Sequence, residues 1–597
     1  MYGYFGKLLR INLKEKTVKV ETFDQSKGER FIGGRGLATK ILTEEVNPQV
    51  DALSPENKLI FVTGPLTGTP TPTGGRYMVV AKSPLTGTVA CSNSGGYWGA
   101  EFKSTGYDAV IFEEKAENPV YIYIEDGNVE IRDAAHIWGK NTTEATKALE
   151  AECGDKVRVC LIGPAGEKLS KIAAVVNDYS RAAGRSGVGA VMGSKNLKAI
   201  VVKGSKKPEI YDEAKLKELV AADNKKLREN GVTGQGLPSY GTAVLINIIN
   251  ENGILPTNNF QKSYFDKAEE ISGETLAEKY LVKKDPCYRC PIACGRYCKV
   301  EGVEGGGPEY ETIWAYGSDC GVSDLSDIIR ANYWCNEMGL DTISAGATIA
   351  AAMELYEKGY IKKEELGGLS LDFGNSEAIV EWTKRIGMRE GLGDKMAEGS
   401  YRLAESYGVP EISMTVKKQE LPAYDPRGVQ GHGLEYATSN RGGCHVRGYM
   451  ISPEILASPE QLDRFALEGK PQWVKIFQDL TAVIDSMGLC LFTSFALGAA
   501  DYAELYNAVT GGSYTADTIL EAGDRIWNLE KMFNLQAGIK PEEDTLPKRL
   551  LEEEIQEGPS KGWVHKLHEL LPEYYELRGW TKEGIPSEEK LQSLGLK

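Results

Sequence analysis

Three cysteines within eight residues, in the run Cys287-Tyr-Arg-Cys-Pro-Ile-Ala-Cys294, constrain this chain more than any other feature. A C-x2-C-x3-C spacing closes two very short loops, so three thiolates reach one soft metal centre at little cost in loop entropy. With a fourth cysteine from elsewhere, such a triplet is the ligand set of a [4Fe–4S] cluster. The rival is a structural zinc ion, whose ligands more often arrive as two separated pairs. Cys298 is the nearest fourth cysteine and Cys490 a distant one, and spacing does not choose between them.

The other cysteines argue for a reducing compartment. An odd total of 11 fits metal ligands plus buried thiols better than a disulfide framework. Cys91, Cys153, Cys160, Cys320 and Cys335 read as core thiols. No stretch approaches the roughly 20 apolar residues of a membrane span. The N-terminal run Met1-Tyr-Gly-Tyr-Phe-Gly-Lys-Leu-Leu-Arg10 lacks the apolar core of a signal peptide. The expectation is a cytoplasmic protein without membrane insertion. A net charge of −16, with no basic stripe, argues against a nucleic-acid partner.

The pattern of 597 residues changes twice. Residues 1–208 read as β-rich: 8–12 and 17–21 alternate across a charged turn, and 120–125 and 129–132 flank Asp126-Gly127, a hairpin signal. Further strands are expected at 58–63, 77–81, 157–162 and 198–202, with a helix at 37–46. Residues 209–415 carry helical periodicity at 212–230, 241–252, 273–283, 325–338, 344–358 and 377–407. Residues 416–597 open with Gly- and Pro-rich loops at 421–448 and return to helix at 474–484 and 501–510. The predicted fold class is α+β: a β-rich base followed by two mainly helical domains.

Two short echoes recur. Pro65-Leu-Thr-Gly-Thr69 returns as Pro84-Leu-Thr-Gly-Thr88, and Asn336-Glu-Met-Gly-Leu-Asp341 returns as Asp485-Ser-Met-Gly-Leu-Cys490. The second pair follows two amphipathic helices and predicts a pseudo-symmetric cradle for a ligand with two similar halves. The run Arg181 to Lys195 is glycine-rich with flanking cations, which suits either an anion-binding loop or a tight structural turn. Glu309 and Glu311 follow three glycines, and a buried glutamate there would be a proton acceptor with a raised pKa. His445 sits in the glycine-dense loop Arg441-Gly-Gly-Cys-His-Val-Arg447, whereas His565 and His568 read as a solvated helix face.

Taken together these motifs resemble the tungsten-containing aldehyde:ferredoxin oxidoreductases over the whole chain. The resemblance is carried by Gly64-Pro-Leu-Thr-Gly-Thr69, Thr73-Gly-Gly-Arg-Tyr77, Asn93-Ser-Gly-Gly96, 181–198, the cysteine triplet, Gly307-Pro-Glu-Tyr-Glu311, Arg441-Gly-Gly-Cys-His445 and Asp485-Ser-Met-Gly-Leu-Cys490. It implies a tungsten ion held by the sulfurs of two pterins, with no protein ligand, so the residues do not separate tungsten from molybdenum. It implies a [4Fe–4S] cluster on Cys287, Cys290, Cys294 and Cys490, which makes Cys298 a spare thiol. Asn336, Asp341, Asp485 and Leu489 would meet the pterins. Their phosphates would meet Asn93, Ser94 and Gly95 on one side and Ala182, Ala183, Gly184 and Arg185 on the other. Asn93 and Ala183 carbonyls would hold a bridging magnesium, a hard cation that prefers oxygen. Arg76 would lie between a pterin and the cluster, Glu311 would act as base and His445 would hydrogen-bond the substrate carbonyl. Tyr310 and Phe492 are candidates for the aldehyde pocket. The implied reaction turns a small aldehyde and water into a carboxylic acid, with electrons leaving to ferredoxin or a dedicated iron–sulfur subunit.

The sequence departs from that family in two places. Asn336 stands where the first pterin-binding aspartate is expected. Arg330-Ala-Asn-Tyr333 replaces the Glu-x-x-His that helps bridge subunits through iron in archaeal relatives, and Val380 replaces a further histidine. A homodimer without that metal follows, or a complex with electron-transfer subunits. Two other readings stand beside the aldehyde oxidase: a sister enzyme reducing an aromatic thioester within a complex, and a non-redox protein with structural zinc.

Overall fold

The computed structural model describes residues 1–597 except Asp155, and of Gln25 the backbone alone. The first 203 residues build one motif twice. In the first half, β1 (Lys7–Asn12), β2 (Thr17–Thr22), β3 (Leu59–Thr63), β4 (Tyr77–Lys82), β5 (Val89–Ser94) and β6 (Ala109–Glu113) form a sheet of order 2-1-6-3-4-5. In the second, β7 (Val120–Glu125), β8 (Asn128–Asp133), β9 (Arg158–Leu161), β10 (Val175–Asn177), β11 (Arg181–Ala183) and β12 (Leu197–Lys203) form a sheet of order 8-7-12-9-10-11. Each half opens with an antiparallel hairpin whose first strand pairs in parallel with the last strand of its half (β1 with β6, β7 with β12). All other neighbours are antiparallel. The β-rich base expected for this region is therefore a tandem repeat of one topology.

Burial explains why the strands read as apolar runs. Residues 59–63 are buried on both faces, because a helix covers one side and the partner sheet the other. Leu9, Phe61 and Tyr77 of one sheet share a core with Ile122, Ile124 and Ile200 of the other. Helix Gly34–Glu45 closes the outer face of the first sheet, and helix Thr142–Cys153 that of the second. The helices Trp98–Ser104 and Val188–Ser194 each pack into the shared core from opposite halves. The result is a four-layer base.

The helical remainder sits on this base through two equivalent helix ends. Helix Leu325–Met338 stops at Gly339 (φ 72°), and helix Lys470–Met487 stops at Gly488 (φ 85°), both left-handed caps. Ala174 N donates to Gly339 O at 2.8 Å, and Arg76 N donates to Gly488 O at 3.3 Å. Ala174 and Arg76 immediately precede β10 and β4, the matching strands of the two halves. Each cap also presses on a Gly-Pro turn. A Cβ at Gly163 would stand 2.4 Å from Met338 O, and one at Gly64 would stand 2.1 Å from Met487 C and O. Gly64→Ala is therefore expected to cost about 3 kcal/mol in denaturant unfolding, because backbone cannot move aside. Gly231→Ala, where nothing lies within 4 Å, is expected to be neutral.

Four expectations are corrected. The stretch 377–407 is three helices, Ser376–Met388, Leu392–Met396 and Ser400–Ser406, broken at Arg389 (φ 54°), Gly391 (φ 56°) and Gly399 (φ 91°). The stretch 421–448, read as loops, holds the helix Gln430–Thr438. The predicted helix 273–283 stops at Lys279, and Leu281–Lys284 is a strand leading into the cysteine loop. His565 is buried, with Nε2 2.8 Å from Gln430 O, while His568 is exposed as expected. The echo at 84–88 is a similar tight turn, but the fold partner of Pro65 is Pro164. Among the described residues no helix is long and apolar enough to cross a membrane.

Candidate active site

The cysteine triplet occupies the loop of a hairpin, Leu281–Lys284 against Arg296–Val300, whose neck is closed by Asp285 N donating to Gly295 O at 2.8 Å. Arg289 and Ala293 adopt positive φ (46° and 51°), which folds the loop back on itself. The fourth thiol comes from Cys490, just past the Gly488 cap, where its N–H donates to Thr73 Oγ1 at 3.1 Å. All four thiols face Arg76. Its Nη2 donates to Cys490 Sγ at 3.4 Å, and the thiols of 490, 287, 294 and 290, in that order, favour its charged form. Cys287, Cys290 and Cys490 each also raise the Cys294 thiol pKa, after burial. Cys298 lies elsewhere: its sulfur packs against Gly307, where a Cβ would stand 2.5 Å away. Among the described residues no three Cys, His, Asp or Glu side chains are close enough to hold one metal ion.

A cavity of about 360 Å³ lies between base and helices. Its two sides repeat the halves of the base. On one, Arg185 Nε donates to Asp341 Oδ2 at 3.1 Å, and its other nitrogens donate to the carbonyls of Gly443 and Glu420 at 2.7 Å each. On the other, Arg447 Nη1 donates to Asp485 Oδ2 at 2.5 Å, and Asn93 Nδ2 donates to Asp485 Oδ1 at 3.1 Å. Arg35, fully buried against Glu530, also reaches Asp485 at 3.3 Å. Gly95 and Gly184 end the equivalent strands β5 and β11. A Cβ at Gly95 would stand 2.9 Å from Cys287 Sγ, so only glycine lets the backbone approach there.

The roof carries an acid and an imidazole. Glu311, in the first turn of helix Tyr310–Tyr316, accepts from Ala423 N at 3.0 Å through Oε2, while its buried Oε1 has no hydrogen-bond partner. His445 Nε2 lies 3.6 Å from that Oε1, too long for a hydrogen bond, and its Nδ1 is likewise unpartnered. Burial pushes the Glu311 carboxyl up to about 8 and the His445 imidazole well below its usual value. Near neutral pH both are uncharged, and both face the cavity.

Of the residues singled out from sequence, Arg76, Asn93, Gly95, Ala182, Gly184, Arg185, Glu311, Asn336, Asp341, His445 and Asp485 line this cavity with Cys287, Cys294 and Cys490. Tyr310 and Phe492 line it too. Ser94, Ala183 and Leu489 send their side chains into the core instead: Ser94 Oγ donates to Asn177 Oδ1 at 2.6 Å, and the other two join apolar clusters. Their backbones alone remain for a ligand. Arg441 and Arg447, in the loop quoted for His445, were not foreseen as cavity residues, and neither was Arg296. The cation-rich loop around His445 was the available signal for the first two. Four thiols, glycine edges, arginines and two unpartnered polar atoms form a donor set that fits a sulfur-bearing, anionic cofactor beside an iron–sulfur cluster.

A family model described as the aldehyde ferredoxin oxidoreductase N-terminal domain matches residues 8–204, and one for domains 2 and 3 matches residues 218–596. The chain is 58% identical to a tungsten-containing aldehyde ferredoxin oxidoreductase of Pyrococcus furiosus, over 100% of this chain and 99% of that protein. It is 33% identical to the WOR-like subunit of an aliphatic sulfonate oxidoreductase from the same organism, over 100% and 97%. Among solved structures it is similar to the active site complex BamBC of benzoyl coenzyme A reductase in complex with 1,5-dienoyl-CoA, with a TM-score of 0.88 and 26% identity, over 100% of this chain and 97% of that one. Agreement of this extent, with the cavity above, places the molecule among the oxidoreductases. The chain belongs to the aldehyde ferredoxin oxidoreductase family.

Proposed function

We propose that this chain oxidises small aldehydes with water, RCHO + H2O → RCOOH + 2 H⁺ + 2 e⁻, and passes the electrons singly to ferredoxin. The observation that carries the reading is one cavity lined both by three of the four thiols, Cys287, Cys294 and Cys490, and by the Glu311–His445 pair. A tungsten bis-pterin would supply the two-electron acceptor, and a [4Fe–4S] cluster the one-electron exit. Cys287, Cys290, Cys294 and Cys490 would hold the cluster. Asp341 with Arg185, Asp485 with Arg447, and Asn336 would orient the pterins. The chain turns at 93–95 and 182–185 would meet their phosphates, and the Asn93 and Ala183 carbonyls would hold a magnesium ion. Glu311, ionised, removes a proton from the attacking water, and its pKa near neutrality suits that task. His445, kept neutral, donates a hydrogen bond to the aldehyde carbonyl oxygen. Tyr310 and Phe492 bound the space for the aldehyde side chain.

We further propose units of 1–208, 209–415 and 416–597, a reducing cytoplasmic setting consistent with eleven free cysteines, and a subunit pairing without bridging iron. Anaerobically purified protein is expected to be brown, to contain iron, tungsten and pterin, and to reduce a viologen dye with simple aldehydes. Colourless, metal-free protein without that activity overturns the reading. The likeness to a benzoyl coenzyme A reductase complex gives the alternative a concrete form, and aromatic thioesters as substrates in the same assay decide between them.

A further inference from the structure

We infer that the outer face of the cysteine-loop hairpin is the docking surface for a small acidic one-electron carrier protein. This rests on the oxidoreductase reading above and names where its electrons leave. The hairpin carries Lys283, Lys284 and Arg289, all exposed, and among the described residues none has a carboxylate within ion-pair distance. The chain as a whole carries a net charge of −16. Arg289 stands exposed in the two-residue turn between Cys287 and Cys290, next in the chain to two ligands of the proposed cluster. Its guanidinium sits over the Tyr288 ring at 5.8 Å, Tyr288 meets Tyr97 edge-on at 6.3 Å, and Arg158 lies over Tyr97 at 4.7 Å. Two tyrosines flanked by two arginines thus cross the surface beside Cys287, the far one, Arg158, paired with Asp178 at 3.2 Å. Interfaces favour arginine and tyrosine, and a local positive field on an acidic protein draws an acidic partner to one place. Val282, 52% exposed on the adjoining edge strand, adds an apolar contact. Each encounter moves one electron from the reduced cluster to the oxidised carrier, with no bond made or broken, so two carriers leave per aldehyde.

Lysines on an edge strand also prevent strand-to-strand aggregation. Charge reversal separates the roles, because glutamate guards an edge as well as lysine does but repels an acidic partner. The variants are K283E/K284E and, separately, R289E, with K14E/K16E in the first hairpin as a remote control. With saturating viologen the rates are expected to match wild type. With an acidic [4Fe–4S] ferredoxin at low salt, KM is expected to rise about tenfold or more while kcat changes little. The difference should vanish at about 1 M salt, where screening acts within ~3 Å. Unchanged ferredoxin KM in both hairpin variants, or an equal rise in the control, overturns the proposal. Were wild-type protein inactive towards aldehyde and viologen, the enzymatic reading would fail. Calorimetric titration of the same proteins with ferredoxin would still decide the docking site.

Discussion

Glu311→Gln enzyme is expected to retain its metals and fold while losing about 10³-fold in kcat/KM for aldehydes. The carboxyl is buried, aims one oxygen with no partner into the cavity, and titrates near 8 because burial disfavours its charge. As a base it must be ionised, so wild-type kcat/KM should rise with pH up to about 8 and then level, and the variant should show no such limb. Stability moves the opposite way. The folded pKa of about 8 exceeds the ordinary value of 4.5, so the group's contribution is fully present below pH 4.5 and is lost as pH rises through 8. The glutamine variant should therefore melt above wild type at pH 9 and near it at pH 5. Full aldehyde activity in the variant would remove Glu311 from the chemistry. An unchanged pH profile would remove it as the titrating group.

Cys490→Ser is expected to lose the brown absorption and most of the iron, and with them all turnover, while pterin content stays. The thiol sits beside Arg76 and closes the group begun by the triplet, although it lies some two hundred residues further along the chain. Cys298→Ser should be silent, because that sulfur packs on Gly307 outside the group. Retained iron in the Cys490 variant would mean that another ligand closes the site and would overturn the four-thiol assignment. Iron and activity in both single variants can be read from the same anaerobic preparations.

The parts of this site that could be read in sequence were those written in neighbouring letters. The triplet, the Arg441 to Arg447 loop and the twin helix ends at 336–341 and 485–490 depend on local spacing, and each puts residues on the cavity wall, the triplet through Cys287 and Cys294. What stayed hidden depends on distant partners. Arg35 meets Asp485 across 450 residues, and nothing near residue 35 marks it as part of a site. Spacing likewise did not choose Cys490 over Cys298: the family resemblance implied it, and the structure puts Cys490 beside Arg76 and Cys298 against Gly307. The doubled base was invisible because the halves share topology but almost no letters. The Gly-Pro turns at 64 and 163 and the glycines at 95 and 184 correspond, and the obvious repeat at 65 and 84 pointed to the wrong pair. Helix Gln430–Thr438 was masked by Gly431 and Gly433, yet Gly433 is there because the His565 ring would lie 2.2 Å from any Cβ. Tertiary packing overrode local propensity. The apolar period across 377–407 concealed the converse, since left-handed residues turn the chain without interrupting the pattern.

The two helix ends that rest on the base follow the same path through Met, Gly and Leu and then differ by one side chain: a carboxylate at Asp341, a thiol at Cys490. Both occupy the N-cap position of the helical turn that follows, but only the Asp341 carboxylate accepts a capping hydrogen bond, from Ile343 N. A shape built twice would offer charge two equal ways out. Under the proposed function, sulfur in one slot and oxygen in the other, together with the cysteine triplet, would give electrons a single way out of an otherwise balanced molecule.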